Sequence, residues 1–161
     1  MNQFLMEEKQ LKVAFAPVDM NTAAITGARI NLGKGDKVAI VVSMGTSTAA
    51  TAEFTLKQHT AASGGTTANL SVANPYFHKA GAATVFTKVS PGSAAAAYDL
   101  SALFDADGGV VVFEVLGEDL DVAGGYAYVS VDVTDSAAAK LGSGVYVLGT
   151  LRHGPGYSQV V

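Results

Sequence analysis

Apolar residues in this chain recur with the spacing of β-strands more clearly than with that of helices. Residues 110–116 form a continuous apolar run rich in β-branched side chains, and residues 126–134 alternate between apolar and polar positions. Successive side chains of a strand point to opposite faces, so these patterns predict a buried strand and a half-buried strand. We predict that the two pair as a hairpin with one buried face, around which the rest of the chain folds.

A second unit of the same build precedes this one. Residues 37–44 contain a continuous apolar stretch typical of a central strand, and residues 53–59 alternate after a loop of small residues. Residues 11–15 alternate before Pro17, which predicts an edge strand because proline cannot donate a ladder hydrogen bond. Residues 61–83 are predicted to be mostly loop. Shorter strands are predicted at 29–32, 70–72, 84–89 and 144–148.

Two short segments favour helix. Asp99 is a suitable N-cap for one or two turns that end at residue 104, and residues 135–142 begin with Asp and Ser and end at glycine. We therefore expect an all-β fold: an antiparallel β-sandwich, jelly-roll-like, with one or two short helices and extended termini. The expected organisation is an N-terminal arm or edge strand at 1–20, a single β-sandwich domain at 21–150 and a C-terminal tail at 151–161.

Composition supports a single domain and restricts its chemistry. The chain has 161 residues, enough for a sizeable core, and contains no Cys, which excludes disulfides and thiolate chemistry. Its first eight residues lack the basic-then-apolar order of a signal peptide. No apolar run reaches the roughly 20 residues that a membrane span requires. We therefore expect a soluble protein without a membrane partner.

Charged residues are distributed unevenly along the chain. The net charge of −4 argues against a nucleic-acid partner. Residues 89–139 contain nine acidic residues and neither lysine nor arginine. Two interpretations stay open: a solvated acidic rim, or a head-to-tail contact between acidic and basic patches of neighbouring subunits.

The sequence contains no motif of a known catalytic or cofactor site. His59, His78 and His153 are far apart in sequence, and no GxSxG motif frames a serine. We expect no enzyme activity, no cofactor and no metal. A loose divalent-cation site at Asp105, Asp107 or residues 118–121 is the alternative to plain solvated acidic turns.

Five stretches in order carry a resemblance to a known family. They are FAPVDM at 15–20, GKGDKVA at 33–39, NPYFHK at 74–79, YDLS at 98–101 and GVYVL at 144–148. With these stretches the chain resembles the small auxiliary head proteins of tailed bacteriophages, known as decoration or cement proteins. The resemblance implies a β-sandwich or jelly roll that assembles on the outside of a capsid and bridges its major capsid subunits.

We therefore predict a non-enzymatic virion structural protein, soluble in the host cytoplasm before it assembles on the capsid surface. Its predicted partners are the major capsid protein and further copies of itself in a homo-oligomer. Extended termini add strands to neighbours, and an acidic loop can meet a basic patch. The predicted contact residues are Phe4, Leu5, Leu11, Val13, Phe15, Glu118, Asp119, Asp121, Arg152, Tyr157, Val160 and Val161.

The prediction has two alternatives. One is another virion component from the tail, neck or baseplate. The other is a carbohydrate-binding or adhesion module, because Tyr126 and Tyr128 on one strand face could stack on a sugar. A packed sheet face or a subunit contact explains the same two tyrosines.

Overall fold

The computed structural model describes residues 9–33, 36–47, 52–104 and 107–149. Within these ranges the chain forms two antiparallel sheets and two short helical turns, α1 (Ser101–Phe104) and a 3₁₀ turn at Gly117–Asp119. The strands are β1 (Lys9–Asp19), β2 (Ile25–Thr26), β3 (Ile30–Asn31), β4 (Lys37–Met44), β5 (Glu53–His59), β6 (Thr67–Asn69), β7 (Tyr76–Ala80), β8 (Thr87–Val89), β9 (Ala97–Asp99), β10 (Gly109–Leu116), β11 (Tyr128–Val133) and β12 (Leu141–Gly149).

The pairing of these strands is nested. Strand β1 pairs with β12, β2 and β3 pair with β11, β4 pairs with β10, and β5 pairs with β6. Sheet A has the order β1-β12-β4-β10-β7-β8, and sheet B has the order β2-β11-β5-β6, with β3 also on β11 and β9 on β5. First-with-last pairing that continues inward, folded into two sheets, is the arrangement of a jelly roll. The predicted all-β sandwich is confirmed.

The predicted hairpins are wrong. Strand β10 lies in sheet A between β4 and β7, whereas β11 lies in sheet B beside β5. The same holds for β4 and β5, which belong to different sheets. Hydrophobic period identifies which positions of a strand are buried but not its partner strand. The connections therefore cross from one sheet to the other instead of turning back within one.

The first of the two predicted helices is present, and the second is not. Asp99 accepts a hydrogen bond from the backbone N–H of Ser101 at 2.9 Å, and α1 follows. Residues 135–140 are irregular, with Ala137 at a positive φ of 58°. The Ser136 hydroxyl donates to the carbonyl of Ala138 at 2.7 Å, and Asp135 accepts from the N–H of Ala137 at 2.8 Å. These local bonds replace helical ones, as short polar side chains tend to do.

The core lies between the two sheets and is centred on Phe113. The Phe113 ring lies 4.9 Å from that of Tyr98, 5.6 Å from that of Phe54 and 5.8 Å from that of Tyr76. Phe113 belongs to sheet A and Phe54 to sheet B, so these rings join the two layers. Phe113 is 2% exposed, which makes it a full member of the core.

A buried tyrosine adds a polar tie between the sheets. The Tyr146 hydroxyl, from β12, donates to the carbonyl of Ala28 at 2.8 Å and accepts from the N–H of Val131 in β11 at 3.3 Å. Burial raises the pKa of Tyr146 above its ordinary value, so the hydroxyl stays protonated. These two hydrogen bonds connect sheet A to sheet B inside the sandwich.

Candidate functional site

The outer face of sheet A carries a continuous group of apolar side chains, which we call the apolar band. In β4, Val38, Ile40 and Val42 point into the core, so the alternate residues point outward. Antiparallel partners share a face, and this extends the same assignment to the neighbouring strands. The apolar band consists of Leu11, Val13, Ala39, Val41, Phe77, Val110, Val112, Val145 and Val147.

The band runs across five neighbouring strands. Its main row joins Val13 to Val145, then Val41, Val112 and Phe77, each paired with the next across the sheet. A shorter row joins Leu11, Val147 and Ala39, again as direct partners. Cross-strand partners lie about 5 Å apart, so each row is one unbroken apolar strip.

The apolar band faces outward, and none of the described strands covers it. All described strands belong to the two sheets, and sheet B packs on the opposite, inner face of sheet A. Leu11 is 46% exposed and Val13 is 57% exposed, while the central members are half-buried by their neighbours in the sheet. A contiguous exposed apolar patch of this kind marks an interaction surface in soluble proteins.

Lysines border the apolar band. Lys37 pairs with Gly149 at one end of the face, and Lys79 pairs with Val110 at the other. Lys88 pairs with Phe77 at the β8 edge, and Lys9 lies at the β1 edge. Glu114, partner of Ala39, and Asp19, partner of Leu141, are the acidic residues at outward positions in the described strands of sheet A. The face is thus apolar in the middle and basic around it.

The outer face of sheet B is polar, and its side chains bond to one another. The Lys57 ammonium lies 2.8 Å from the Asp132 carboxylate on the neighbouring strand. His59 bonds through Nε2 to the Ser130 hydroxyl at 2.8 Å and through Nδ1 to that of Thr67 at 2.9 Å. This network joins β6, β5 and β11 and satisfies both ring nitrogens of His59, while the second oxygen of Asp132, Oδ1, is buried without a hydrogen-bond partner.

The His59–Ser130 pair lacks the features of a nucleophile with its base. Both side chains are buried, with exposures of 2% for His59 and 0% for Ser130. The second ring nitrogen of His59 meets a threonine hydroxyl, where a catalytic triad has a carboxylate. Burial, and after it the positive charge of Arg29, lower the pKa of His59 below its ordinary value. The pair is therefore a neutral cross-strand tie.

Two predicted contact residues belong to the apolar band, and a third is buried. Leu11 and Val13 lie side by side on the exposed face of β1. Phe15 is 8% exposed, because the register shifts between Val13 and Phe15. A Cβ on Gly144 would stand 2.5 Å from the Phe15 ring, so the glycine provides the space that the ring occupies. In this structure Phe15 packs into the sandwich.

The predicted acidic loop divides into a structural and an accessible part. The Asp119 carboxylate accepts hydrogen bonds from the backbone N–H of Leu116 at 2.7 Å and from the Asn74 amide at 2.6 Å, so it holds the loop together. Asp121 is exposed and accepts from the N–H of Gly124 at 2.9 Å. Glu118 is exposed. The loop follows Leu116 at the end of β10, and Leu116 pairs with Lys37 of β4.

The remaining predicted contact residues lie outside the described residues. They are Phe4, Leu5, Arg152, Tyr157, Val160 and Val161. Lys9 pairs with Gly149, so the first and the last described residues of the chain lie side by side in sheet A. Their place as contact segments stays a prediction.

Most of the apolar band was missed by the sequence prediction, although a signal for it exists. Residues 38–42 and 110–113 are apolar without interruption, which we interpreted as a central strand and a buried strand without deriving an exposed apolar face from them. In a two-layer sandwich a sheet has the core on one face alone. An uninterrupted run in such a sheet must therefore place every second apolar residue on the outside, as Val41 and Val112 show.

Two features are absent from the described part of the chain, a metal-ion site and a membrane-spanning helix. No group of three or more His, Asp or Glu side chains in it could hold a metal ion. No helix in the described ranges has the length and apolar character to cross a membrane.

Comparisons with known proteins give one similar structure. No family model and no curated protein matches the chain. The chain is similar to the crystal structure of the SPBc2 prophage-derived protein YomS, with 13% sequence identity and a TM-score of 0.39, over 87% of this chain and 93% of that one. Identity and TM-score this low carry no conclusion about function.

Proposed function

We propose that this protein is a non-enzymatic structural component of a phage virion, which binds the outside of the capsid and bridges major capsid subunits. The observation that carries the proposal is the apolar band on sheet A, opposite a sheet B whose outer polar groups already bond to each other. The family resemblance of the sequence supports the choice of a capsid as the partner.

The fold suits this role mechanically. Two sheets joined by the Phe113 ring cluster and the Tyr146 hydroxyl form one sandwich whose outer apolar face spans five strands. A sheet face whose backbone is already hydrogen-bonded binds a pre-formed surface with little further ordering, which lowers the entropic cost of association. Each copy that spans a seam between capsid subunits adds free energy that separation of those subunits must overcome. Many copies on a repeating lattice multiply the effect.

Co-sedimentation with capsids tests the proposal. Expanded, DNA-free capsids of the phage whose genome encodes this chain are prepared without the protein, mixed with it at increasing concentrations and pelleted. We expect saturable binding at a fixed number of copies per capsid subunit, and capsids that withstand a higher temperature once occupied. Absence of binding, or binding to an arrayed glycan in place of the capsid, would overturn the proposal.

A further inference from the structure

We propose that the outer face of sheet A binds a protein surface that has an apolar centre bordered by carboxylates, and not the same face of a second copy. The inference rests on the proposed function, in which the capsid supplies that surface. It goes further by specifying the face that binds and the chemistry of its partner.

The size of the apolar band indicates the centre of an interface. Five strands at a spacing of about 4.8 Å span about 20 Å, and the rows from Leu11 to Val110 cover roughly 14 Å along the strands. A standard interface buries about 800 Å² on each partner, with an apolar centre inside a polar rim. The band has the dimensions of that centre, and the lysines occupy the positions of the rim.

The charge of the rim selects the partner. Lys9, Lys37, Lys79 and Lys88 surround the band, against Glu114 and Asp19 as the acidic residues at outward positions of the described strands of sheet A. Two copies packed face to face would bring two such lysine sets together, and like charges across an interface disfavour the pairing. A partner with carboxylates at its rim reverses the sign of this interaction. Charge complementarity therefore favours an acidic-rimmed protein surface over a second copy.

A charge-sign pair of variants tests both parts of the inference in the capsid co-sedimentation assay. Val112→Glu and Val112→Lys each place a charge in the middle of the band, on an outward position between Val41 and Phe77. We expect the Glu variant to lose at least about 10-fold in capsid affinity, as for a central interface residue. The Lys variant should lose about 3-fold less, because its charge is attracted by the partner's carboxylates.

A charge placed in the sheet can prevent folding, so a milder double variant is tested as well. Val41→Thr with Val112→Thr keeps β-branched side chains of nearly the same shape while removing apolar surface, and we expect a loss of about 5-fold in affinity. The matched control is Asn69→Asp, an exposed outward position beside Lys57 on the other sheet. It adds a carboxylate away from the apolar band and should change capsid affinity by less than about 2-fold.

Different experimental results would contradict the proposed capsid binding and the proposed binding face. Wild-type protein that fails to pellet with capsids overturns the proposed function. Wild-type binding that is matched by the folded Val112 and double-threonine variants overturns the inference while leaving the function in place. A wild-type dimer in sedimentation equilibrium that Val112→Glu dissociates would also overturn the inference, because it would show a second copy on this face.

Discussion

The two outer faces of this sandwich are built from strands of the same fold but present opposite chemistry. On sheet B, a lysine–aspartate pair and a histidine bonded to two hydroxyls complete one another within the chain. On sheet A, valines pair with valines across the strands and nothing described lies over them. Most of the named polar groups of sheet B thus have partners within the chain, whereas the outward side chains of sheet A are mainly apolar.

The difference shows how a β-sandwich can assign stability and binding to different surfaces. The core between the sheets holds the fold, and it uses the inward half of every strand. Sheet A repeats apolar side chains on its outward half, where they contribute less to folding than core side chains because they stay partly in contact with water. Their contribution is expected on binding, when a partner removes that surface from water.

The largest expected effect is the loss of folding stability when a side chain on the inner face of sheet A is truncated. Phe113→Ala should destabilise the protein by about 3–5 kcal/mol, since the ring is fully buried among three other aromatic rings. Chemical denaturation monitored by circular dichroism measures the change. A loss below about 1 kcal/mol would show that the inward face of β10 is not core.

Two adjacent residues of β10 allow the inward and outward faces of sheet A to be compared directly by their effects on stability. Val111 is 0% exposed and faces the core, while Val112 faces outward and is half-buried. Val111→Thr should cost about 1–3 kcal/mol by burying a hydroxyl, and Val112→Thr should cost less than about 0.5 kcal/mol. Equal costs in parallel denaturation experiments would mean that both sides of the strand are equally covered.

A pH-dependent effect is expected on the other face. The folded state lowers the pKa of His59, so the unfolded chain binds a proton more readily. Stability from this group is therefore complete above the ordinary pKa near 6.5 and falls as the pH drops below it, by at most about 1.4 kcal/mol per pH unit. We expect His59→Gln to flatten this decline between pH 7.5 and 5.5 in thermal unfolding scans. Identical slopes in variant and wild type would contradict a neutral, buried His59.

The smallest effect concerns the ion pair of sheet B. Lys57 and Asp132 are both partly exposed, so solvent screens their attraction. Lys57→Gln should change stability by less than about 1 kcal/mol and leave capsid binding unchanged. A clear loss of binding in this variant would show that the outer face of sheet B also contacts the partner.

The sequence predicted most strand positions but not their pairing. Strands β4 and β5 appear at the predicted residues 37–44 and 53–59, because period and β-propensity are local properties of the chain. Their placement in different sheets depends on contacts between distant residues, such as β4 with β10 and β12. Strand β7 was missed, since residues 76–80 contain His and Lys and mix the two patterns.

The candidate site was predictable in part. Leu11 and Val13 were expected as contact residues from their position in an edge strand, and they do lie on the exposed face of β1. The buried position of Phe15 depends on a register shift and on the space beside Gly144, neither of which has a local signal. Predicting the wider apolar band requires knowledge that the fold has two layers. Only in a two-layer fold does a continuous apolar run place every second residue on an exposed face.

Protection of a single cysteine tests the central claim most directly. The chain contains no Cys, so Val13→Cys places a single thiol at a 57% exposed position of the band, and Asn69→Cys places one on the opposite sheet. Alkylation rates are measured for each variant, free and bound to capsids. We expect binding to slow alkylation at position 13 by at least about 10-fold and at position 69 by less than about 2-fold, as burial under an interface requires. Equal alkylation rates at position 13 in the free and bound states would contradict the account.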